Sequence, residues 1–175
     1  MRQSKRRRRG IHDEARRFAL EADAAWSAGD LLRAFELFTQ AAQMGHIAGQ
    51  LNLGYFYDEG LFVRKDKKKA IEWYYKAYRQ GDPCGANNIA AVYRDLGCET
   101  KMLWWRRRAA AMGDPDMLLE LGDRCQRGLR ASKSLAKARM FYRKVILSAY
   151  SSEEDKAVAA GRLRALATEP GDRRV

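Results

Sequence analysis

Apolar residues recur along much of the chain with the spacing of one helix face. In the segment AIEWYYKAYRQGDP, Ala70, Trp73, Tyr74 and Ala77 fall at i, i+3, i+4 and i+7, positions that an α-helix brings to one side. The segment ends in Gly81-Asp82-Pro83. This triplet predicts a helix end at the glycine, an N-cap at the aspartate and a proline at the first position of the next helix. The segment is therefore predicted to be a helix that packs through an aromatic face, followed directly by a second helix.

The same pattern repeats along the chain. Similar segments end at glycines 36 and then 32 residues apart, and a small residue follows each glycine by nine positions. The three glycine and small-residue pairs are Gly45 and Gly54, Gly81 and Ala90, and Gly113 and Gly122. Trp73 then aligns with Trp105 and Phe141. This period predicts stacked helix pairs in which small residues let helices cross closely and aromatic rings fill the space between them. The rings are thus interpreted as core and not as a ligand site.

The unit LNLGYFYDEGLFVRKDKKKAIEWYYKAYRQGD, from Leu51 to Asp82, resembles a Sel-one-like repeat, a branch of the tetratricopeptide-type helical repeats. It has that family's Leu-Gly, Tyr, Gly, Val, Asp, Lys-Ala, Trp-Tyr, Lys-Ala and Gly at matching intervals. Residues 117–146 keep LG, G, KA and FYRK, whereas the unit between is degenerate at Ala90-Ala91 and its inter-helix loop is four residues shorter. Residues 24–45 are similar to a generic tetratricopeptide unit.

The resemblance covers about Asp13 to Tyr150 and implies an all-α fold. The expected architecture is a right-handed α/α superhelix, or solenoid, of about four helix-turn-helix repeats with a C-terminal capping helix. That last helix is predicted over residues 151–167, with Ser152 as its N-cap. We expect a basic disordered tail at residues 1–11, a single repeat domain at 12–168 and a second disordered tail at 169–175.

The resemblance also implies a function, because members of the family are mostly adaptors that hold a peptide or partner domain in a concave groove. Positions two before, one after and four after the small residue of the first helix generally face that groove. The residues assigned in this way are Arg16, Asn52, Tyr55, Asp58, Asn88, Arg94, Glu120 and Asp123. Asn52 and Asn88 each have side-chain donors and an acceptor, which suits them to an extended peptide backbone. The alternative is that both are ordinary polar residues with no shared ligand.

Charge suggests an alternative function. The net charge is +12, from 34 Lys and Arg against 22 Asp and Glu, and six of the basic residues lie in the first ten positions. A nucleic acid could be bound by two groups of cations beside Trp104 and in the N-terminal arm: Lys5, Arg6, Arg7, Arg8, Arg9, Arg106, Arg107 and Arg108. Binding to a membrane surface is disfavoured, because the basic arm is followed by no amphipathic apolar face. The run from Lys65 to Lys69 is interpreted as a solvated stretch of charge.

The sequence offers little for catalysis. His12 and His46 are the only histidines, neither has partners at metal-ligand or catalytic-triad spacing, and no phosphate-binding glycine motif occurs. We therefore expect a non-catalytic protein with no cofactor. The three cysteines fit no CxxC spacing and are predicted to be reduced and mostly buried. No apolar run reaches the roughly 18 residues of a membrane span, and a cytoplasmic location is expected.

Overall fold

The computed structural model describes residues 2–128 and 133–168, with side chains described from residue 10 onward. All the regular secondary structure in this part of the chain is helical. The helices are α1 (Arg2–Ser27), α2 (Leu31–Gln43), α3 (Ile47–Glu59), α4 (Lys67–Arg79), α5 (Pro83–Asp95), α6 (Glu99–Ala111), α7 (Pro115–Arg127), α8 (Leu135–Leu147) and α9 (Glu153–Thr168). The predicted succession of helix-turn-helix units closed by a final helix is confirmed.

The chain divides into two compact units, Met1–Leu103 and Trp104–Val175, with the boundary inside α6. In the first unit each helix from α1 to α4 packs on the next along the chain, and in the second α7 packs on α8 and α8 on α9. Helix α1 begins at Arg2 and so includes most of the segment 1–11 that the sequence assigns to a tail. Lys and Arg have good helix propensity and can extend the helix that follows. The predicted tail at 169–175 lies outside the described residues.

One turn geometry recurs at the helix ends. At Gly81 the backbone φ is +93°, the left-handed region that glycine adopts without steric cost. The Gly81 N–H donates to the Tyr78 carbonyl at 3.0 Å, and the Asp82 N–H donates to the Ala77 carbonyl at 3.3 Å. This pair of bonds defines a Schellman motif. The same pair closes the turns at Gly29, Gly45, Gly97 and Gly113.

The α3–α4 and α7–α8 connections share a second, longer design. Each begins at a left-handed C-cap glycine, Gly60 or Gly128. Asp66 then donates its N–H to the Tyr57 carbonyl, and Ser134 donates its N–H to the Cys125 carbonyl, both at 2.8 Å. The side chains of Asp66 and Ser134 also cap the helix that follows. The two connections thus return the chain to the same position on the preceding helix.

At two helix crossings a tyrosine ring packs directly on a glycine. Tyr74 is 1% exposed and Tyr142 is 0% exposed, and each lies directly over a glycine of the paired helix, Gly54 or Gly122. A methyl group on Gly54 would lie 2.6 Å from the Tyr74 ring, closer than packed carbon atoms approach. These pairs fix the crossing of α3 with α4 and of α7 with α8.

Two predictions about the core are corrected. Trp73, Trp105 and Phe141 are half-buried and not fully enclosed. In α4 and α8 the ring one position later, Tyr74 or Tyr142, faces the partner helix, so the aligned aromatic residue lies at the edge of the packed face. The cysteines are also not mostly buried: Cys84 and Cys98 are exposed and Cys125 is half-buried.

Candidate partner-binding surface

Six of the predicted groove residues lie on the odd-numbered helices of the first unit: Arg16 on α1, Asn52, Tyr55 and Asp58 on α3, and Asn88 and Arg94 on α5. Helix α3 contacts α5 as well as α4, and it meets α1 through the rings of Trp26 and Tyr55. The fold therefore brings these positions onto neighbouring helices. We call Arg16, Asn52, Tyr55, Asn88 and Arg94 the polar face.

The two asparagines of the polar face keep their hydrogen-bonding capacity. Asn52 and Asn88 are both half-buried, and neither side chain hydrogen-bonds to another residue in the described part of the chain. A half-buried amide has lost some of its hydrogen bonds to water, so a hydrogen bond to a ligand would stabilise it. Each amide can therefore offer two donors and an acceptor to a ligand.

Tyr55, on the same helix as Asn52, provides an aromatic ring for the polar face. Its side chain is 43% exposed, and its ring centroid lies 5.9 Å from that of Trp26 at an interplanar angle of 53°. The Trp26 ring is itself held edge-on against the buried Phe56, with the centroids 5.1 Å apart. Trp26 thus packs against the Tyr55 ring, and the exposed part of Tyr55 can contact a partner.

Asp58 differs from the other predicted groove residues of the first unit because it is enclosed. It is 7% exposed and accepts a hydrogen bond from the Lys67 ammonium at 2.5 Å. Lys67 also donates to Asp95 at 2.9 Å. Burial alone would lower the pKa of Lys67, but its hydrogen bonds to Asp58 and Asp95 outweigh that cost and raise the pKa. Asp58 therefore holds α4 to α3 and is not available to a partner, which corrects its assignment.

In the second unit Glu120 and Asp123 lie on α7 and are engaged within the unit. Glu120 pairs with Arg106 at 2.8 Å and with Arg124 at 3.6 Å. Asp123 accepts from the Tyr142 hydroxyl at 2.8 Å and pairs with Arg162 at 3.0 Å. Burial and then the hydrogen bond to Asp123 raise the pKa of Tyr142, so the phenol remains a donor. Both carboxylates are therefore already engaged in hydrogen bonds or ion pairs within the unit.

The cations predicted to bind nucleic acid are partly committed within the second unit. Arg106 is held by Glu120, and the Arg108 guanidinium carbon lies 3.9 Å from the Trp104 ring centroid. Trp104 is 48% exposed, whereas its neighbour Trp105 is half-buried. The side chains of Lys5 to Arg9 lie outside the described residues.

Sequence reasoning missed a cleft beside the α3–α4 connection. Its volume is about 710 Å³, and it lies entirely within the first unit. The run from Lys65 to Lys69, interpreted above as a solvated stretch of charge, forms much of its wall together with Arg64. The remaining wall is contributed by Tyr57, Val63 and Leu96. Leu96 is distant in sequence, so the run itself contains no signal that it lines a cleft.

Within 2–128 and 133–168, no group of three or more His, Cys, Asp or Glu side chains is placed to hold a metal ion. Among the helices of the same part of the chain, none combines the length and apolar character needed to cross a membrane.

The repeat units match a known family. The model for the Sel1 repeat matches residues 27–46, 47–82 and 115–145. The chain belongs to the Sel1-repeat family. Of the matched segments, 47–82 comprises α3 and α4, while 115–145 comprises α7 and most of α8. Sel1-repeat proteins are generally protein-interaction modules and are typically non-catalytic.

Solved structures give the same fold. A Sel1 repeat protein from Oxalobacter formigenes is 24% identical with a TM-score of 0.61, over 83% of this chain and 57% of that one. The protein c5321, a protective antigen of uropathogenic Escherichia coli strains displaying an SLR fold, is 30% identical with a TM-score of 0.51, over 77% of this chain and 28% of that one. The chain thus spans less than two thirds of either protein. No curated protein matches its sequence.

Proposed function

We propose that this Sel1-repeat chain is a non-catalytic adaptor, scaffold or inhibitor that binds a segment of a partner protein on the polar face of its first unit. The observation that carries the proposal is the set of Asn52, Tyr55 and Asn88. Here a half-exposed aromatic ring accompanies two amides that have no hydrogen-bond partner among the described residues. Tyrosine is enriched at the centre of protein interfaces because it combines apolar area with a polar tip.

The partner segment is expected to be extended. Peptide N–H and C=O groups alternate along an extended chain, and an asparagine amide can donate to one and accept from the other. Asn52 and Asn88 lie on α3 and α5, which contact one another, so these two neighbouring helices can each hold one peptide group. Tyr55 would then contact a side chain of the bound segment. Arg16 and Arg94, both exposed, would favour acidic residues at its ends.

The experiment compares partner capture by three forms of the full chain, using lysate of the organism that encodes it. The test variant is Asn52→Ala/Tyr55→Ala/Asn88→Ala. The matched control is Gln40→Ala/Gln43→Ala/Tyr75→Ala, which removes two amides and an exposed tyrosine from the even-numbered helices α2 and α4. Circular dichroism establishes that all three forms are equally helical.

We expect wild type and control to retain the same protein partner and the test variant to lose it. The purified partner is then titrated against each form, and the loss should be about tenfold or more, since central interface residues contribute most of the affinity. Equal recovery by all three forms would place the partner elsewhere on the chain. Retention of RNA or DNA alone, with strong salt dependence, would support the nucleic-acid function instead.

A further inference from the structure

The cleft beside the α3–α4 connection has a composition that suits a particular ligand. Arg64, Lys65, Lys67, Lys68 and Lys69 all contribute to its wall, and Asp66 is the one acidic residue among them. This is a concave site with a strong excess of positive charge, and such sites concentrate anionic ligands.

Three of these cations have no acidic partner in the part of the chain described. Lys67 is taken up by Asp58 and Asp95, and the Lys69 ammonium lies 5.1 Å from the centroid of the Tyr57 ring. Arg64, Lys65 and Lys68 form no ion pair there. Their charge is available to a ligand.

The α4 N-terminus is not itself the anion site. Asp66 accepts the backbone N–H groups of Lys68 and Lys69 at 3.1 and 3.0 Å. A capped helix end has already satisfied the donors that would hold a phosphate. Binding in this cleft must therefore depend on the side chains of Arg64, Lys65 and Lys68.

We propose that this cleft binds an acidic segment of polypeptide that has an apolar residue among its carboxylates. The apolar part of the wall, Val63 and Leu96, is half-buried or exposed and can take an apolar side chain. Next to Val63, Phe62 has a backbone φ of +59°, a conformation that large L-residues rarely adopt. Its ring is 55% exposed and packs against Phe35 with the ring centroids 5.8 Å apart, so Phe62 follows the cleft wall in sequence without being part of it.

The cleft is poorly suited to single-stranded nucleic acid. Proteins that bind single strands usually stack bases on open aromatic faces. The one aromatic ring in the wall is Tyr57, which has the Lys69 ammonium near it and the Phe35 ring edge-on with a centroid separation of 6.1 Å. The Asp66 carboxylate would also repel a continuous line of phosphates. Separated carboxylates on a peptide can avoid that contact.

The inference is separate from the proposed use of the polar face, because the two surfaces share no residue. The probe is a fluorescein-labelled peptide with separated carboxylates, Glu-Ser-Glu-Phe-Glu-Ser-Glu, with the amide analogue Gln-Ser-Gln-Phe-Gln-Ser-Gln as its neutral control. Fluorescence anisotropy measures binding to the full chain at low and at physiological ionic strength. A labelled ten-nucleotide poly-dT strand is titrated in parallel.

The test variant is Arg64→Gln/Lys65→Gln/Lys68→Gln. Its matched control, Arg79→Gln/Arg127→Gln/Arg143→Gln, removes the same charge from exposed positions outside the cleft. We expect the acidic peptide to bind wild type and control alike, and the test variant to raise its Kd about tenfold, as the loss of three exposed ion pairs predicts. Added salt should weaken the wild-type complex, and the neutral peptide should not bind.

Three results would overturn the inference. The first is a Kd that rises equally in the test and control variants, which would mean that only net charge attracts the peptide. The second is a failure of the acidic peptide to bind wild type at low ionic strength. The third is tighter binding of poly-dT than of the peptide with the same dependence on Arg64, Lys65 and Lys68. The variant Asn52→Ala/Tyr55→Ala/Asn88→Ala should bind the peptide like wild type, which separates this result from that of the proposed function.

Discussion

The identity of the smallest residues determines which aromatic ring is buried. Trp73 and Tyr74 are both on the predicted apolar side of α4, and periodicity alone does not distinguish them. Gly54 and Gly122 leave room for a ring, and Tyr74 and Tyr142 occupy it. The sequence contains both glycines, but pairing each with a tyrosine rather than with the aligned Trp73 or Phe141 requires the crossing angle of the helices. That angle follows from side-chain packing and not from spacing along the chain.

Tyr74→Ala is expected to destabilise the chain more than Trp73→Ala. Tyr74 is 1% exposed, so its removal should leave a cavity and cost about 3–5 kcal/mol. Trp73 is half-buried and has the Lys76 ammonium 3.4 Å from its ring centroid, so its removal exposes space that water can fill. Urea denaturation followed by circular dichroism compares the two, and equal losses would contradict this ranking.

Two glycines of the second unit should respond oppositely to alanine. Gly122→Ala places a methyl group into the Tyr142 ring and should cost about 1–3 kcal/mol through overpacking. Gly161→Ala, within α9, meets no atom within 4 Å and should stabilise by about 0.5–1 kcal/mol through helix propensity. Thermal and urea midpoints measure both. A stabilising Gly122→Ala would mean that the tyrosine can move aside.

His46 should make stability depend on pH near neutrality. Its Nδ1 accepts the Gly49 N–H at 3.3 Å as the N-cap of α3, and burial lowers its pKa from the usual 6.5. The unfolded chain therefore takes up a proton at higher pH than the folded chain. The unfolding free energy should fall as pH drops from 6.5 towards the folded pKa and stay constant above that range. His46→Asn keeps a capping residue that does not titrate, so urea denaturation from pH 7 to about pH 5 should show a smaller slope. An unchanged slope would assign the effect to other groups.

Among the elements, α3, α4 and α5 are joined by one lysine. Lys67 on α4 forms ion pairs with Asp58 on α3 and with Asp95 on α5. The two carboxylates differ in burial, because the side chain of Asp58 is 9% exposed and that of Asp95 is 38% exposed. The hydrogen bond from Lys67 lowers the pKa of Asp95. The bond to Asp58 should be structural, because a buried carboxylate needs its partner.

Lys67→Met and Asp95→Asn test this difference. Lys67→Met leaves Asp58 buried without its cation and should cost about 3 kcal/mol. Asp95→Asn removes an exposed pair and should cost less than about 1 kcal/mol. The double variant Lys67→Met/Asp58→Leu should recover part of the loss, since the unpaired charge is gone. Denaturation midpoints of the three variants decide the matter, and similar costs for the two single changes would show that Asp58 has found another partner.

Helix ends were more predictable than helix contacts. The end of α4 and the start of α5 can be predicted from Gly81, Asp82 and Pro83, because each of these residue types has its own preference for a position at a helix end. Ser152 likewise caps α9, with its hydroxyl accepting the Asp155 N–H at 3.1 Å. The contact of Lys67 with Asp95 depends on how three helices pack, and no local preference encodes that.

For the molecule as a whole, the repeat alignment predicted the helix on which a residue lies better than it predicted whether the side chain is free to bind a partner. It placed Asn52, Tyr55 and Asn88 on helices of the first unit that contact one another, as a shared repeat offset requires. The same offset selected Asp58, where the larger loop of that repeat brings in Lys67 and uses the carboxylate internally. A repeat offset therefore predicts on which helix a residue lies, whereas its burial and its partners depend on the loops of the individual unit. The cleft beside the α3–α4 connection escaped prediction for the same reason.

The two compact units should differ in how a local defect spreads. In repeat proteins each helix pair contacts only its neighbours, so stability is lost first near the site of damage. Gly122→Ala should accelerate backbone hydrogen exchange in α7 and α8, where Tyr142 is displaced, and leave α1 to α4 nearly unchanged. Gly54→Ala, the equivalent change under Tyr74, should show the reverse pattern. Hydrogen exchange with mass spectrometry of the two full-length variants measures both. If either variant accelerates exchange equally from α1 to α9, the chain opens as a single cooperative structure, and the helix pairs are coupled more strongly than nearest-neighbour stacking allows.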